Sequence, residues 1–303
     1  MKTFNEILPQ FLADIKIQLK EKSHQGYVGK TKVFSGWLKE NNFDKFAICE
    51  LQTTHLSDFF VYLATERDLD KPTCQKYFLA IRRVFQYAHK RGMIDSVPFD
   101  SGLITFPKKK IDMSSEVITQ DHMKVLLGAI KKKDPQLYLA TMTEYYCFLR
   151  PGTELRLLKV KDIDFKSGTI QVTQDHAKNG HKRIVTVPSQ LLLIMQELGI
   201  DRADKSLYVF GRTKSPDMRP CSVNMLRYRF NKHRDKLGLP KGYKLYSMKH
   251  TGVTALHNSN TVSLRGLMDQ IGHMRLSSTE HYIKKHAGTV NEKIRDCFPS
   301  PIT

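Results

Sequence analysis

The stretch DQIGHMRLSSTEHYIKK, residues 269–285, contains the most specific pattern in the chain. Apolar residues at helical spacing predict one helix over about 262–271 and another over about 277–285, with His273 between them. Tyr282 follows His273 by nine residues. A tyrosine on an amphipathic helix is usually a core residue, and Tyr282 alone would be assigned to the core. What precedes this stretch changes that assignment.

Three motifs with cationic or phenolic side chains lie upstream. They are CFLRPGTELRLLKVKDID (147–164), HAKNGHKRIVTVP (176–188) and LYSMKHTGVTAL (245–256). Their candidate functional residues, in chain order, are Arg150, Lys178, Tyr246 and Lys249. Tyr246 and Lys249 are spaced i, i+3, with His250 at i+4, so one face of a helix can present all three.

The second motif lies in a predicted β-hairpin. The stretches Thr169–Gln174 and Lys182–Pro188 alternate apolar and polar residues in the manner of strands. Asn179-Gly180 between them is a strong hairpin-turn signal. Lys178 is therefore expected beside the turn, where a lysine at a hairpin tip often serves only solubility.

These residue types match the needs of phosphodiester transfer without ATP or metal. A nucleophile must form a covalent intermediate that conserves the bond energy. Fixed cations must hold the non-bridging oxygens, and arginine suits this because its planar fork meets phosphate in a bidentate manner. A general acid must protonate the leaving oxygen, and a base must accept the proton of the attacking hydroxyl.

The motifs resemble those of the tyrosine recombinases, the phage and transposon integrases and Xer-type enzymes, over nearly the whole chain. That family has G-L-R-x-x-E-L followed by D-I-D, then T-K-x-G-x-x-R-x-V-P, H-x-x-R-H-T and L-G-H-x-x-x-x-x-T-x-x-Y. The resemblance implies that Arg150 grips the scissile phosphate and that Lys178 enters the minor groove as general acid. It also implies that His273 hydrogen-bonds the phosphate and that Tyr282 attacks it, forming a 3′-phosphotyrosyl link.

The chain departs from the family pattern at several positions. Tyr246 stands where the family has histidine, and Lys249 stands where it has the second arginine. Lysine keeps the positive charge but lacks the bidentate fork. Tyrosine donates a hydrogen bond, yet it is a poor base near neutral pH. One additional residue lies between Arg150 and Glu154, which predicts a different local turn, and Ile271 replaces the leucine of the last motif.

The charge of the chain favours a polyanionic partner. Lys and Arg total 49 against 30 Asp and Glu, a net charge of +19. The excess is +6 in residues 1–110 and +13 in residues 111–303, so both halves can contact DNA. A generally basic protein without a nucleic-acid partner is the alternative that charge alone leaves open.

The first hundred residues are predicted to form four helices. The apolar stripe of the first runs from Phe4 to Leu19, and the second covers about 24–40. Thr54 is a candidate cap for the third. The fourth begins at Asp70-Lys71-Pro72, a cap with a proline in the first turn, and ends at Gly92. Four helices with short connections predict a compact bundle.

The remainder is predicted to be mostly helical around a small β-hairpin sheet. Helices are expected from Thr119, over Leu137–Leu149, and at about 189–198, 222–237 and 245–257, with a short strand at Leu207–Phe210 and a tail helix at 289–297. Gly, Pro and consecutive lysines indicate a linker. The expected fold is mainly α with a small β-hairpin sheet, a two-domain integrase-type clamp. Its parts are a helical core-binding domain of the SAM-like type (1–105), a linker (106–117) and an α+β catalytic domain (118–303).

No cofactor is expected. The chain has no GxxxxGK[ST] to cradle a nucleotide and no HExxH, and its histidines have no cysteine or carboxylate at a convincing ligand spacing. Five widely spaced cysteines argue against a disulfide framework and favour a reducing cytoplasm. No apolar run approaches the 18 residues needed to span a bilayer, and the N-terminus is unlike a signal peptide.

Two alternatives to an active recombinase remain at this point. The departures at Tyr246 and Lys249 fit a catalytically impaired relative that acts as a sequence-specific DNA-binding protein. A type IB topoisomerase would share the tyrosine chemistry, but the separate helical N-terminal domain argues against it. The expected partner is double-stranded DNA. Strand exchange needs two cleaved duplexes at once, so a homo-tetramer on DNA is expected, coupled by exchange of the tail around Val290–Phe298.

Overall fold

The computed structural model describes residues 1–99, 102–108, 116–177 and 180–273. The chain divides into two compact units, residues 1–112 and 113–303. The expected linker therefore lies partly outside the described residues, and Lys178, the helix over 277–285 with Tyr282 and the tail helix lie wholly outside them. Within the described segments, no helix is both long and apolar enough to cross a membrane.

The N-terminal unit contains the four expected helices. They are α1 (Phe4–Gln18), α2 (Glu21–Glu40), α3 (Thr53–Thr65) and α4 (Lys71–Lys90). Thr3 and Glu6 form a capping box at α1, and the Asp70 side chain accepts a hydrogen bond from the Thr73 amide at α4. The prediction of a Thr54 cap was wrong, because Gln52 is the N-cap residue of α3 and Thr54 lies inside its first turn.

Aromatic packing forms the core of this unit. Phe34 contacts Phe4 and Phe59 edge to face, with ring centroids 4.9 and 4.8 Å apart, and all three rings are buried. Phe106 packs on Phe60 with a centroid distance of 5.5 Å. The chain after α4 therefore returns to cover the bundle.

The C-terminal unit is helical around one small sheet. Its helices are α5 (Gln120–Lys133), α6 (Pro135–Cys147), α7 (Ser189–Glu197), α8 (Met225–Lys236), α9 (Ser247–Asn258) and α10 (Leu264–Ile271). Its strands are β1 (Ile163–Asp164), β2 (Thr169–Val172) and β3 (Arg183–Thr186), antiparallel in the order β1-β2-β3.

The hairpin is shorter than predicted and has an additional edge strand. β2 pairs with β3 in the register Ile170 to Val185, and both side chains are buried. The strand predicted at Leu207–Phe210 was wrong: Tyr208 makes single bridges to Lys159 and Asp217 but no continuous ladder. Isolated bridges of this kind hold the loop around Tyr208 in place without adding a strand to the sheet.

Helices α6 and α9 approach so closely that only glycine fits at position 252. A Cβ there would lie 1.9 Å from the backbone oxygen of Tyr145. We expect Gly252→Ala to lower the free energy of unfolding by about 3 kcal/mol, because backbone must move to relieve the clash. Urea unfolding measures this. Gly128→Ala on α5 is the matched control, since nothing lies within 4 Å of its Cβ position, and it should stabilise by up to about 1 kcal/mol. Equal effects at the two positions would contradict the packing described.

Candidate active site

Arg150 is positioned by an unusual end to α6. Phe148 caps the helix in the left-handed conformation, with φ 54°, so that the chain turns away from the axis of α6 at once. A π-helical turn follows over Pro151–Leu155, in which the Leu155 amide donates to the Arg150 oxygen at 3.0 Å. The wider turn accommodates the additional residue between Arg150 and Glu154. The expectation of a different local turn is thus met by a π-turn.

Glu154 joins two arginines from different elements. Its carboxylate accepts hydrogen bonds from Arg150 Nη1 at 2.5 Å and from the Arg150 amide at 3.0 Å. Arg183, the first residue of β3, donates to the same carboxylate through Nη1 at 3.2 Å and Nη2 at 2.8 Å. The Glu154 side chain is fully buried, and both arginine side chains are more than four-fifths buried. These charge-assisted contacts, which are bidentate for Arg183, orient both guanidiniums.

The two arginines also set the ionisation of Glu154. Burial alone would raise the pKa of its carboxyl, but the hydrogen bond and charge of Arg183, with the charge and amide of Arg150, outweigh burial and lower the pKa to about 2. Glu154 is therefore ionised throughout the physiological range. One of the two guanidinium charges is compensated, and a net positive charge remains for an anion.

The lowered pKa of Glu154 predicts how stability depends on pH. The folded-state pKa of about 2 lies below the ordinary 4.5, so the ionised carboxylate stabilises the fold fully above pH 4.5 and loses this effect as pH falls toward 2. We expect Glu154→Gln to lower the free energy of unfolding by roughly 3 kcal/mol at pH 7, with the deficit shrinking at acid pH. Urea unfolding at several pH values measures this. The exposed Glu197→Gln should change stability by less than about 0.5 kcal/mol; a pH-independent deficit for Glu154→Gln would refute the assignment.

Lys249 is buried behind this arginine pair. Its side chain on α9 has no exposed surface, and its Nζ donates to the backbone oxygen of Phe148 at 2.8 Å. Burial lowers the pKa of Lys249 to about 7, with the Arg150 charge acting in the same direction. Lys249 therefore exchanges its proton near neutral pH, which an arginine at this position would not do.

Tyr246 and His250 lie at the start of the same helix. Tyr246 is the N-cap residue of α9, and its ring contacts the His250 ring edge to face at a centroid distance of 4.9 Å. Lys249 Nζ lies 5.9 Å from the centroid of the Tyr246 ring. Both rings are half-buried. The predicted helix face thus brings the Tyr246 phenol, the Lys249 ammonium and the His250 imidazole close to one another.

His273 follows the end of α10, and the residue before it, Gly272, lies against the Arg183 side chain. Gly272 caps α10 at φ 77°, and a Cβ there would lie 2.9 Å from both Cδ and Nε of Arg183. Only glycine combines this left-handed conformation with so close a contact. Burial, followed by the charges of Lys249, Arg150 and Arg183, lowers the pKa of His273 to about 4. His273 is therefore neutral at pH 7 and can donate one hydrogen bond.

A cavity of about 520 Å³ opens at this point. Arg150, Arg183 and His273 line it, together with Lys182 and Arg265. Arg183 Nε is buried and has no hydrogen-bond partner among the described residues, so one guanidinium donor remains unused after Glu154 is satisfied. Asp269 is the acidic residue in the lining, and it pairs with Arg265 at 3.2 Å. The cavity is suited to an anion of phosphate size with several oxygens.

Three of the six candidate residues from the sequence meet here: Arg150 and His273 line the cavity, and Lys249 lies buried beside them. Tyr246 is on the same helix as Lys249, while Lys178 and Tyr282 lie outside the described residues. Arg183 and Glu154 were not among the candidates, although both stand inside the quoted motifs. The motif spacing was the signal that could have identified them.

Comparison with known proteins agrees with the fold and the motifs. Residues 116–288 match the model of the phage integrase family, and residues 3–111 match that of the phage integrase SAM-like domain. A tyrosine recombinase of Pseudothermotoga lettingae is 24% identical over 88% of this chain and 88% of its own length. The tyrosine recombinase XerC of Pediococcus pentosaceus is 22% identical over 97% of each chain.

Solved structures share the fold at lower identity. The Tn1549 transposon integrase in complex with a circular intermediate DNA has a TM-score of 0.76 and 17% identity, covering 97% of this chain and 98% of that one. A λ integrase dimer bound to a core site has a TM-score of 0.74 and 16% identity, covering 96% and 98%. Both matches extend over the two units of this chain. This chain belongs to the phage integrase family, the tyrosine recombinases, and is a DNA-strand-transferring enzyme of site-specific recombination.

Proposed function

We propose that the cavity beside Arg150 holds the scissile phosphate of duplex DNA and that the phenolic oxygen of Tyr282 attacks its phosphorus. The O–P bond to Tyr282 forms as the bond to the 5′-oxygen breaks, which leaves a 3′-phosphotyrosyl link and a free 5′-hydroxyl. No ATP or metal is needed, because the covalent link conserves the energy for rejoining. Reversal of the same step on a second strand completes the exchange.

The observation that carries this proposal is the Arg150–Glu154–Arg183 arrangement. A single carboxylate orients two guanidiniums, and both line a cavity that Lys182 and Arg265 also line. Pre-oriented cations stabilise the charge that develops on phosphate oxygens without having to reorganise during the reaction. A purely structural ion pair would not require a basic cavity beside it.

The resemblance to the family implies the other roles. His273 is neutral and donates a hydrogen bond to a non-bridging oxygen. Lys249 supplies positive charge where the family pattern has its second arginine, and Tyr246 donates a hydrogen bond in place of histidine. Lys178, which the sequence predicts beside a hairpin turn, protonates the departing 5′-oxygen.

The proposed partner is double-stranded DNA, and the proposed assembly is a homo-tetramer on DNA. The net charge of +19 favours the first. A λ integrase tetramer bound to a Holliday junction, which shares the fold with a TM-score of 0.72, supports the second. We propose that the residues around Val290–Phe298 couple neighbouring protomers by tail exchange. We place the reaction in the cytoplasm, where unpaired cysteines stay reduced.

The test is covalent trapping on nicked duplexes with a randomised core. A nick beside the scissile phosphate lets the short 5′-hydroxyl fragment diffuse away, so that the adduct cannot be resealed. We expect a protein–DNA species that survives denaturation, whose DNA sequences define the target site. Salt-sensitive binding without an adduct on any substrate, also after Lys249→Arg, would contradict the proposal and indicate a binding protein.

A further inference from the structure

The Gln270 side chain joins α10 to the edge of the small sheet. Its amide nitrogen donates to the backbone oxygen of Thr186 at 2.7 Å, and its amide oxygen accepts from the Thr186 backbone N–H at 3.0 Å. The same nitrogen lies 3.4 Å from the backbone oxygen of Tyr146 on α6. One half-buried side chain thus contacts the backbone of two other elements, 84 and 124 positions away in the chain.

The two bonds to Thr186 replace those that a further strand would make. Thr186 ends β3, which pairs with one strand, β2, in the described part of the sheet. In an antiparallel ladder, two opposed residues of a hydrogen-bonded pair exchange both of their backbone bonds. The Gln270 amide makes this same pair of bonds from a helix. The proposed reaction assigns Gln270 no role, and the family's last motif begins one residue after it.

The apolar contacts of α10 leave its position along the sheet to be set by other interactions. Leu267 and Ile271 are buried in a small cluster with Phe148 and Val253. Such packing is non-directional and determines which face of the helix is buried. Hydrogen bonds have narrow ranges of distance and angle. The Gln270 amide can therefore fix how far α10 lies along β3.

The contact between Gln270 and Thr186 lies next to the proposed phosphate site. Gln270 lies three residues before His273 on one side of the contact, and on the other side Thr186 lies three residues after Arg183. His273 and Arg183 line the same cavity. Gly272 is so close to the Arg183 side chain that a Cβ would lie 2.9 Å from its Cδ. A shift of α10 along β3 therefore moves the imidazole relative to the guanidinium.

We propose that Gln270 is a positioning residue for strand cleavage: by holding α10 against β3, its amide keeps the His273 imidazole in place to donate to the phosphate beside Arg183. This rests on the proposed function. A donor stabilises the reacting phosphate only at hydrogen-bonding distance and angle. Loss of the Gln270 amide therefore slows cleavage without removing any group of the phosphate site.

The test is Gln270→Met in the full chain, with cleavage measured on the trapping substrate at saturating protein. Methionine is an unbranched side chain that also favours helix, but it makes neither bond to Thr186. We expect the single-turnover rate constant to fall about tenfold, as small misplacements of a reacting group do. The final yield of adduct and the DNA affinity should not change, whereas loss of folded protein would lower the yield. The exposed Gln196→Met on α7 is the matched control and should leave all three quantities unchanged.

A double-mutant cycle tests whether Gln270 acts through His273. In a His273→Ala background, whose slower adduct formation is followed over longer times, Gln270→Met should lower the rate constant by less than about twofold, because no imidazole remains to be positioned. An equal, tenfold loss in both backgrounds would overturn the inference and leave Gln270 as a cover for the sheet edge.

Gln270→Asn provides a second variant if Gln270→Met does not fold. It carries the amide on an arm one methylene shorter, which cannot make both bonds to Thr186 at the same helix position, and it should show the same dependence on His273. An unchanged rate constant in a folded Gln270 variant overturns the inference and leaves the proposed function intact. Absence of any adduct from the unaltered chain overturns both.

Discussion

Tyr282→Phe should eliminate the covalent protein–DNA adduct while leaving DNA affinity unchanged. Phenylalanine retains the aromatic ring but has no oxygen to attack phosphorus, so residue 282 can no longer form the covalent link. We expect the rate of adduct formation to fall by at least ~10⁴-fold, the scale on which removal of a nucleophile acts. Trapping on the selected nicked duplex measures the first quantity, and gel-shift titration at fixed salt measures the second.

The matched control for this variant is Tyr228→Phe. Tyr228 lies on α8 and is 70% exposed, so loss of its hydroxyl should leave trapping unchanged. An adduct that persists at the normal rate in Tyr282→Phe would place the nucleophile elsewhere. Peptide mapping of the adduct from the unaltered chain would then identify the residue that carries the DNA.

Arg150→Ala should lower the cleavage rate by about 10²–10³-fold, because one preorganised donor to the developing charge is lost. The fold should survive, since Arg183 continues to neutralise Glu154 through two hydrogen bonds. Arg150→Lys should recover only part of the rate, because lysine restores the charge without the bidentate fork. Single-turnover trapping at saturating protein measures the rate, and urea unfolding shows whether stability has changed.

Arg202→Ala is the control for loss of one positive charge. The Arg202 side chain is 78% exposed, and its substitution should alter neither trapping rate nor stability appreciably. If Arg150→Ala reduced DNA affinity and left the rate of bound complexes intact, the guanidinium would serve binding alone. The cavity would then be a docking point for backbone phosphate.

Much of the architecture was predictable because its signals are local. The stripe beginning at Phe4 and the cap at Asp70 depend on residues within a few positions of each other, and α1 and α4 form as expected. The hairpin likewise follows from alternation on both sides of the Asn179-Gly180 signal. Thr54 shows the limit of such signals, because several neighbouring polar residues can begin a helix and packing selects among them.

The prediction of a strand at Leu207–Phe210 was wrong for a different reason. Its composition suits a strand, but a strand requires a partner that offers several successive hydrogen-bonding groups. Tyr208 makes only single bridges to Lys159 and Asp217. Strand formation depends on the neighbour as much as on the segment itself.

The sequence by itself determined the kind of chemistry available to this protein: an arginine, a histidine and a tyrosine at family spacing, in a strongly basic chain. Only the tertiary structure decided which charges share one dry interior. Glu154 with Arg183, and Lys249 with the backbone oxygen of Phe148, are brought together across 29 and 101 positions of the chain. Side-chain ionisation responds to distance and burial in space, and linear spacing encodes neither of them beyond a turn or two of helix.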